Sequence, residues 1–520
     1  MEIAFGAVSL ADICIKYGII LVKACKSYRH GDKETRESIL LIETRWIKIQ
    51  RQLELLRQIW SSLDEDYQVH QNTVLQVLQG KAQAAITLID SVVGDSKDES
   101  SMKTLMSKKG ETKRAKYAVW VKNSLKSVLL DLKEWGEVFD VSWYLIIRLS
   151  SKEIDKELGP VAGGVKEPLS TLKDLREAIK SNVESRGDTL GSSVLLPNSL
   201  FETQVTVDQS FEIWLIGDKE QGQCPCLADV PTSVSTLSDV CSLAKILRQS
   251  EPFEFGILTC RGVAKFSAED PNQPPVTRII FDIPENLILP QSLRSALLAE
   301  PHDRPLDERF SLAKQLAKAV MFVHSAGFVH KNIRPENIIT FGEKETGILW
   351  AFLTGFETFR LAEGKTLHSG DSDWEKNIYR HPHRQGINPE DDYIMQHDIY
   401  SLGVCLLEIG IGESLVLKNE GNIVSSPLIL SAITSTTKGE RAKANEVKTL
   451  LVKLAETKLL SSMGRKYTET VITCLTCLDK VNNNFGDWKE FLDENGVLVG
   501  VRFIEKVRHF QACITTHRGN

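Results

Sequence analysis

Phe328-Val-His330-Lys331-Asn332-Ile333-Arg334-Pro335-Glu336-Asn337-Ile338-Ile339 is the stretch on which the reading of this 520-residue chain turns. Apolar positions flank a polar, hydrogen-bonding loop that closes on a Pro-Glu-Asn tripeptide. On its N-terminal side, after Gly187, the apolar period is that of strands: Ser193 to Leu196, Val205 to Ile216, Phe255 to Leu258 and Arg278 to Ile283. From Leu306 onward the period is helical, most clearly at Ala313 to His324 and Ile399 to Ile409. A small β-rich lobe followed by a large helical lobe is therefore expected, with the quoted loop in the second.

Further out, the first 150 residues read as helices alone. Ile3 to Tyr28 is one apolar segment broken by Asp12, Lys16, Lys23 and Lys26. Leu40, Trp46, Ile47, Leu53, Leu56 and Trp60 recur at helical spacing, and further patterns run from Tyr67 to Val93 and from Arg114 to about Leu149. Gly and Pro are nearly absent between Gly31 and Asp140, so a bundle of long helices is expected. Gly94 to Glu111 reads as a polar loop, and Gly159-Pro-Val-Ala-Gly-Gly164 as the breaker that ends the bundle, with one more helix from Pro168 to Val183.

Composition is that of a globular protein, 42% apolar and 25% charged, and the length calls for two or three domains. A net charge of −6 gives no support for nucleic acid as a partner. The ten cysteines are too sparse and irregular for a disulfide framework, so a reduced, cytoplasmic protein is expected. Cys474 and Cys477 have the spacing of half a zinc site but lie in an apolar helical run, which makes them core thiols; no metal is expected. Cys224-Pro-Cys226 reads as a loop. No basic segment precedes the first apolar stretch, so no secretory signal is expected, nor a stable transmembrane span.

The quoted loop resembles the catalytic loop of protein kinases, His-Arg-Asp-x-x-x-x-Asn, matching at His330 and Asn337. Asp398-Ile-Tyr-Ser-Leu-Gly403 is similar to the start of the family's central helix, Tyr379-Arg-His-Pro382 to the end of its activation segment, and Phe281-Asp-Ile-Pro to the strand entering its hinge. The resemblance covers about residues 198–515. It implies an α+β bilobal protein-kinase-like fold at 198–520, with the small lobe at about 198–286, the large lobe at about 287–520, and a linker at 186–197.

The departures from the family pattern are as informative as the matches. Asn332 stands where the general base should be, and an amide accepts no proton at neutral pH. Gly355-Phe356-Glu357 stands where the Mg²⁺-binding Asp-Phe-Gly should be, so the main metal ligand is missing. His383 stands where the activation segment usually ends in Glu. No phosphate-cradling glycine loop is visible. The third strand, read as Phe211 to Ile216, carries no lysine; Lys265, placed at the end of the fourth strand, and Lys219 are weaker substitutes. Losing a base typically costs about 10²–10⁴ in rate, and the other losses remove most of what phosphoryl transfer consists of. A pseudokinase follows, with no catalytic residue and no required cofactor. His330 and Asp398 are read as holding the loop in shape, while Asn337, Arg334 and Lys265 are left as contacts for weakly bound ATP.

Met1-Glu-Ile-Ala-Phe-Gly-Ala-Val-Ser-Leu10, Lys16-Tyr-Gly18 and Ile42-Glu-Thr-Arg-Trp-Ile47 resemble the fungal HeLo domain of prion-inhibition and propagation proteins, over residues 1–185. That resemblance implies an all-α bundle whose N-terminal segment permeabilises membranes in programmed cell death and heterokaryon incompatibility. Ile3, Phe5, Leu10, Ile15, Ile19 and Val22 would be the membrane-active positions. Asp12 and Lys16, spaced i, i+4, could pair during insertion. Lys103, Lys108, Lys109, Lys113, Arg114 and Lys116 read as a solvated loop. The layout of bundle plus inactive kinase is similar to the mixed-lineage-kinase-domain-like proteins. It implies an upstream signalling partner, self-association, and movement from cytoplasm to an anionic plasma membrane. Two alternatives stay open: an atypical active Ser/Thr kinase, and a two-domain protein-binding scaffold.

Overall fold

A computed structural model describes residues 2–26, 33–60, 65–94, 122–132 and, with short interruptions, 194–479. The chain divides into two compact units, Met1–Gly164 and Val165–Asn520, and is a mixed α/β protein. The division falls at the end of the Gly159–Gly164 cluster. That cluster, the loop from Gly94 with its lysines, the helix expected over 168–183 and the linker at 186–197 lie wholly or largely outside the described residues.

In the first unit, helices α1 (Glu2–Lys26), α2 (Lys33–Ile59), α3 (Glu65–Gly94) and α4 (122–132) share one spacing rule. The buried positions of α1 are Ala11, Cys14, Gly18, Leu21 and Cys25, with Val22 beside them. The buried apolar positions of α2 are Ile39, Ile42, Trp46, Ile49, Leu53 and Leu56, continued by Trp60; those of α4 are Leu125, Val128 and Leu132. Steps of three and four alternate throughout, the seam that lets neighbouring helices interlock side by side at shallow angles. The helical expectation holds at Trp46, Leu53, Leu56 and Trp60. Leu40 and Ile47 lie off the seam and are 63% and 54% exposed. Cross-helix pairs fix the arrangement: Arg57 Nη1 to Asp12 at 2.7 Å and Lys26 to Glu43 run α1 antiparallel to α2. Asp12 is thus held by Arg57 of the next helix, a partner that helical spacing within α1 could not reveal.

The second unit opens with a six-stranded sheet in the order β1-β5-β6-β4-β3-β2. Its strands are β1 (Leu195–Leu196), β2 (Phe201–Asp208), β3 (Phe211–Asp218), β4 (Gly222–Ala228), β5 (Cys260–Phe266) and β6 (Val276–Asp282). Neighbours are antiparallel except β1 and β5. Three sequence expectations need correction. The single strand over Val205 to Ile216 is a hairpin of β2 and β3. The strand expected at Phe255 to Leu258 begins only at Cys260, because Pro252–Phe255 forms a helical turn closed by Gly256 at φ +67°. Cys224-Pro-Cys226 is not a loop but the middle of β4. Pro225 lies just beyond the part of β4 that pairs with β6, so its missing N–H is tolerated as on an edge. Helix α5 (Leu237–Leu247) covers the sheet with Val240, Leu243, Ala244 and Leu247.

Beyond β6 the chain turns helical. Helix α6 (Leu306–Ser325) packs beside α7 (Met395–Ile411), every residue of which is buried, so α7 is the axis of this region. Gly403 and Gly410 let α7 meet helix α9 (Arg465–Leu475) closely: a Cβ on Gly403 would fall 2.6 Å from Cys474 Cβ. Cys474 and Cys477 are core thiols, with Cys477 Sγ donating to the Gln396 carbonyl and burial pushing both thiols up. Helix α8 (Glu440–Leu454) lies between α7 and α9 in sequence and packs on α9.

Candidate functional site

The loop singled out from sequence is pinned from below by one carboxylate. Asp398, at the start of α7 and fully buried, accepts the backbone N–H groups of His330 at 2.7 Å and Lys331 at 2.9 Å and the Tyr393 hydroxyl at 2.6 Å. Its other neighbour is His324 Nε2 at 3.0 Å. Burial alone would raise its pKa; the hydrogen bonds and the His324 and His330 rings reverse that and hold the carboxyl below its ordinary value. Lys331 takes a left-handed turn at φ +70°, a strain that these bonds sustain.

His330 spans the centre of the site. Its Nε2 donates to the Thr354 carbonyl at 3.0 Å and its Nδ1 accepts the Asn332 N–H at 3.3 Å, which requires the neutral ring. Burial drives its pKa down to about 4, so it stays neutral at physiological pH. The ring packs on Phe356 with centroids 4.7 Å apart.

Asn332, at the expected base position, donates from Nδ2 to Glu357 at 3.0 Å and through its carbonyl holds Asn337 Nδ2 at 2.8 Å. Asn337 returns its own carbonyl to Thr354 N–H and Oγ1. Asn337 therefore fixes backbone through both its side chain and its carbonyl, while the Asn332 amide is held by the Glu357 carboxylate. Gly355 follows with φ +79°, and a Cβ built on it would lie 2.4 Å from Asn337 Cγ. The chain packs too closely here for any larger residue unless Asn337 moves.

The decisive side chain is one the sequence reading passed over. Asp229, directly after β4 and 1% exposed, accepts the Gly355 N–H on both oxygens at 2.8 and 3.1 Å and the Phe356 N–H at 2.9 Å. In chain order β4 is the third full-length strand of the sheet; the segment Phe211 to Ile216, expected as the third, is the second. The third strand thus ends in an acid, where the kinase resemblance implies a phosphate-binding lysine on the strand itself. The signal was present in Cys226-Leu-Ala-Asp229, an apolar strand ending in a charge, but reading Cys-Pro-Cys as a loop hid it.

The structure thus brings His330, Asn332, Asn337, Gly355, Phe356 and Asp398 into one constellation with Asp229. Arg334 is half-buried beside it. Lys265 is exposed on β5 opposite Thr277, on a different strand from the one that reaches Gly355. Lys219 lies outside the described residues. On the other side of the loop, Lys331 Nζ stands 5.7 Å from the Tyr393 ring centre. Burial, and then Arg360, Arg384 and Arg380, bring its pKa down to about 8.

A second buried polar cluster sits between α7 and the loop. Arg294 pairs with Glu336 at 2.7 Å and donates to Tyr379 Oη at 2.9 Å, and that hydroxyl contacts Glu408 at 2.9 Å. Burial raises Glu408 to about 7. His383, where an activation segment would end in Glu, is paired with Asp391 at 2.7 Å.

Along α1, Leu10 and Ile15 are half-buried, Val22 is in the seam, and Ile19 is half exposed together with Ile13 and Ile20. The side chains of Ile3 and Phe5 lie outside the described residues. Among the described residues no helix is long and apolar enough to cross a membrane. No protein-family model matches this chain, and no curated protein matches it.

Proposed function

We propose that this protein is a signalling pseudokinase whose second unit regulates a membrane-active N-terminal bundle. The observation that carries the first half is Asp229 seated on the N–H groups of Gly355 and Phe356. A nucleotide's phosphates and their metal need positive charge and a free carboxylate at such a place. Here a buried acid holds the backbone instead, Gly355 supplies no metal ligand, and Asn332 supplies no base. The order of three strands, a helix, two strands and then a helical region built on one buried helix supports the kinase-like reading of the fold. So does the way Asp398 holds the loop.

The second half rests on α1. Its exposed Ile13, Ile19 and Ile20 leave an apolar strip that a bundle core does not need. Lys16 and Lys23 flank that strip, a pairing suited to an anionic lipid surface. In the resting protein the seam residues Ala11, Cys14, Leu21 and Cys25 are engaged, so insertion requires release of α1. The setting proposed is cytoplasmic, with an upstream protein as trigger, self-association on release, and programmed cell death or heterokaryon incompatibility as outcome.

Two measurements test this. Full-length protein with Mg²⁺ and ATP should transfer no phosphate to itself or to generic substrates above a protein-free blank. A fragment of residues 1–185 should release dye from liposomes containing anionic lipid, and the full chain should release far less. Leakage by neither, or equal leakage by both, rules out regulation of a membrane-active bundle.

A further inference from the structure

A groove of about 560 Å³ opens on the surface of the second unit, and none of the residues of the Asp229 constellation lines it. One wall is the segment from the short helix Trp374–Asn377 to Ile387; the other is the short helix Leu430–Ile433 and α8. Its floor is apolar, built from Ile378, Ala444 and Val447, and Ile387 stands at the rim with 62% of its surface in solvent. Volume and lining are those of a site that accepts a few large apolar side chains. The rim is basic on balance: Arg441 and Lys443 against Glu440. An occupant should therefore combine apolar anchors with negative charge.

The chain carries such a segment within reach. Asp487-Trp-Lys-Glu-Phe-Leu-Asp-Glu494 places Trp488, Phe491 and Leu492 at the i, i+3, i+4 spacing of a single helical face, with four acids against one lysine. These residues lie outside the described part of the structure, which ends at Asp479. That last residue is beside the groove: Asp479 pairs with Lys448 at 2.5 Å, and Lys448 follows the floor residue Val447 on α8. Seven residues lie between Asp479 and Asp487, and the eight steps between the two can span up to about 26–29 Å when extended.

We infer that this groove is the docking site of the chain's own C-terminal segment, seated by Trp488, Phe491 and Leu492 and steered by Arg441 and Lys443. Docking would cover Ile387 and tie the C-terminus to the segment that carries Tyr379 and His383, so that anything competing for the groove acts on both.

A fluorescein-labelled peptide of residues 484–496 tests it on full-length protein. The peptide should bind the triple variant Trp488→Ala, Phe491→Ala, Leu492→Ala with a micromolar Kd, and the unmodified chain at least about ten-fold more weakly, because its own segment competes. Adding Ile387→Glu and Lys443→Glu to the triple variant should abolish binding, with circular dichroism as the control for folding. A benzophenone amino acid at position 491 of the full chain should crosslink within the monomer to 374–387 or 430–447, a readout independent of those substitutions. Equal affinity for the triple variant and the unmodified chain, or binding indifferent to the groove substitutions, overturns the inference. So does a crosslink that maps elsewhere or yields only dimers, the latter assigning the groove to a second copy.

Discussion

Gly18 of α1 lies directly beneath the indole of Trp46 of α2: a Cβ at Gly18 would fall 1.8 Å from Trp46 Cζ2. Trp46 is 2% exposed, so its ring has nowhere else to go. Replacing Gly18 by Val should therefore destabilise the bundle by more than the about 1–3 kcal/mol typical of overpacking. Trp46→Ala alone should cost about 3–5 kcal/mol as a cavity. The two defects share one space, so the double variant should be more stable than the sum of single losses allows, by at least about 1 kcal/mol. Urea unfolding of the four proteins measures this; strict additivity would place ring and glycine apart.

Placing an aspartate at position 355, as the kinase resemblance would have it, should not create nucleotide chemistry. Gly355→Asp puts a Cβ 2.4 Å from Asn337 Cγ and a second carboxylate near Asp229, so it should lower the melting temperature. It should confer no Mg²⁺-dependent stabilisation by ATP. A thermal shift series with ATP, with and without Mg²⁺, decides the point, and a Mg²⁺-dependent rise in the variant would contradict the arrangement described.

Asp229 itself should be more valuable to the fold than an ordinary surface acid. It satisfies two buried N–H groups, and leaving those unpaired costs roughly 1–3 kcal/mol each. Asp229→Ala should thus be strongly destabilising. Asp229→Asn keeps a carbonyl acceptor and should lose less. Equal stability of the two variants by denaturant unfolding would contradict the hydrogen-bond account.

How much of this was legible beforehand differs by region for physical reasons. The loop from Phe328 to Ile339 and Asp398 stood out through their resemblance to the kinase catalytic loop and central helix; the structure joins them within one network, with Asp398 accepting the His330 and Lys331 N–H groups. The heptad-like seam of α2 was legible in part: Leu40 and Ile47 are as apolar as their neighbours, and only packing reveals that they face solvent. Asp229 was missed because a proline between two cysteines signals a turn locally, while sheet pairing with β3 overrides that preference. Asp12 was assigned to Lys16 on helical spacing, yet Arg57 meets it from 45 residues away. Contacts set by tertiary packing are not encoded in local period.

Acid should weaken the second unit through its histidines. Burial, the largest cause at each, lowers His330 to about 4, His397 to about 3 and His381 to about 2. Lys448 reinforces this at His381, whereas Asp398 partly opposes it at His330 and Asp391 and Asp398 at His397. In the unfolded chain all three take up protons near pH 6.5. A base whose pKa is depressed by folding contributes stability that is full above its unfolded pKa and is lost as pH falls. Between pH 6.5 and 4 the unfolded state thus binds up to three more protons than the native state from these groups. Glu408, raised to about 7 by burial, has the opposite sign: its burial is favoured when protonated, and its contribution weakens as pH rises from about 4.5 to 7. Three groups outweigh one below pH 6, so denaturant-measured stability should fall on acidification from pH 6.5 to 5. His381→Phe and His397→Phe should each flatten that slope, because each removes one proton taken up on unfolding. An unchanged slope in both variants would show that these rings are already solvated in the native protein.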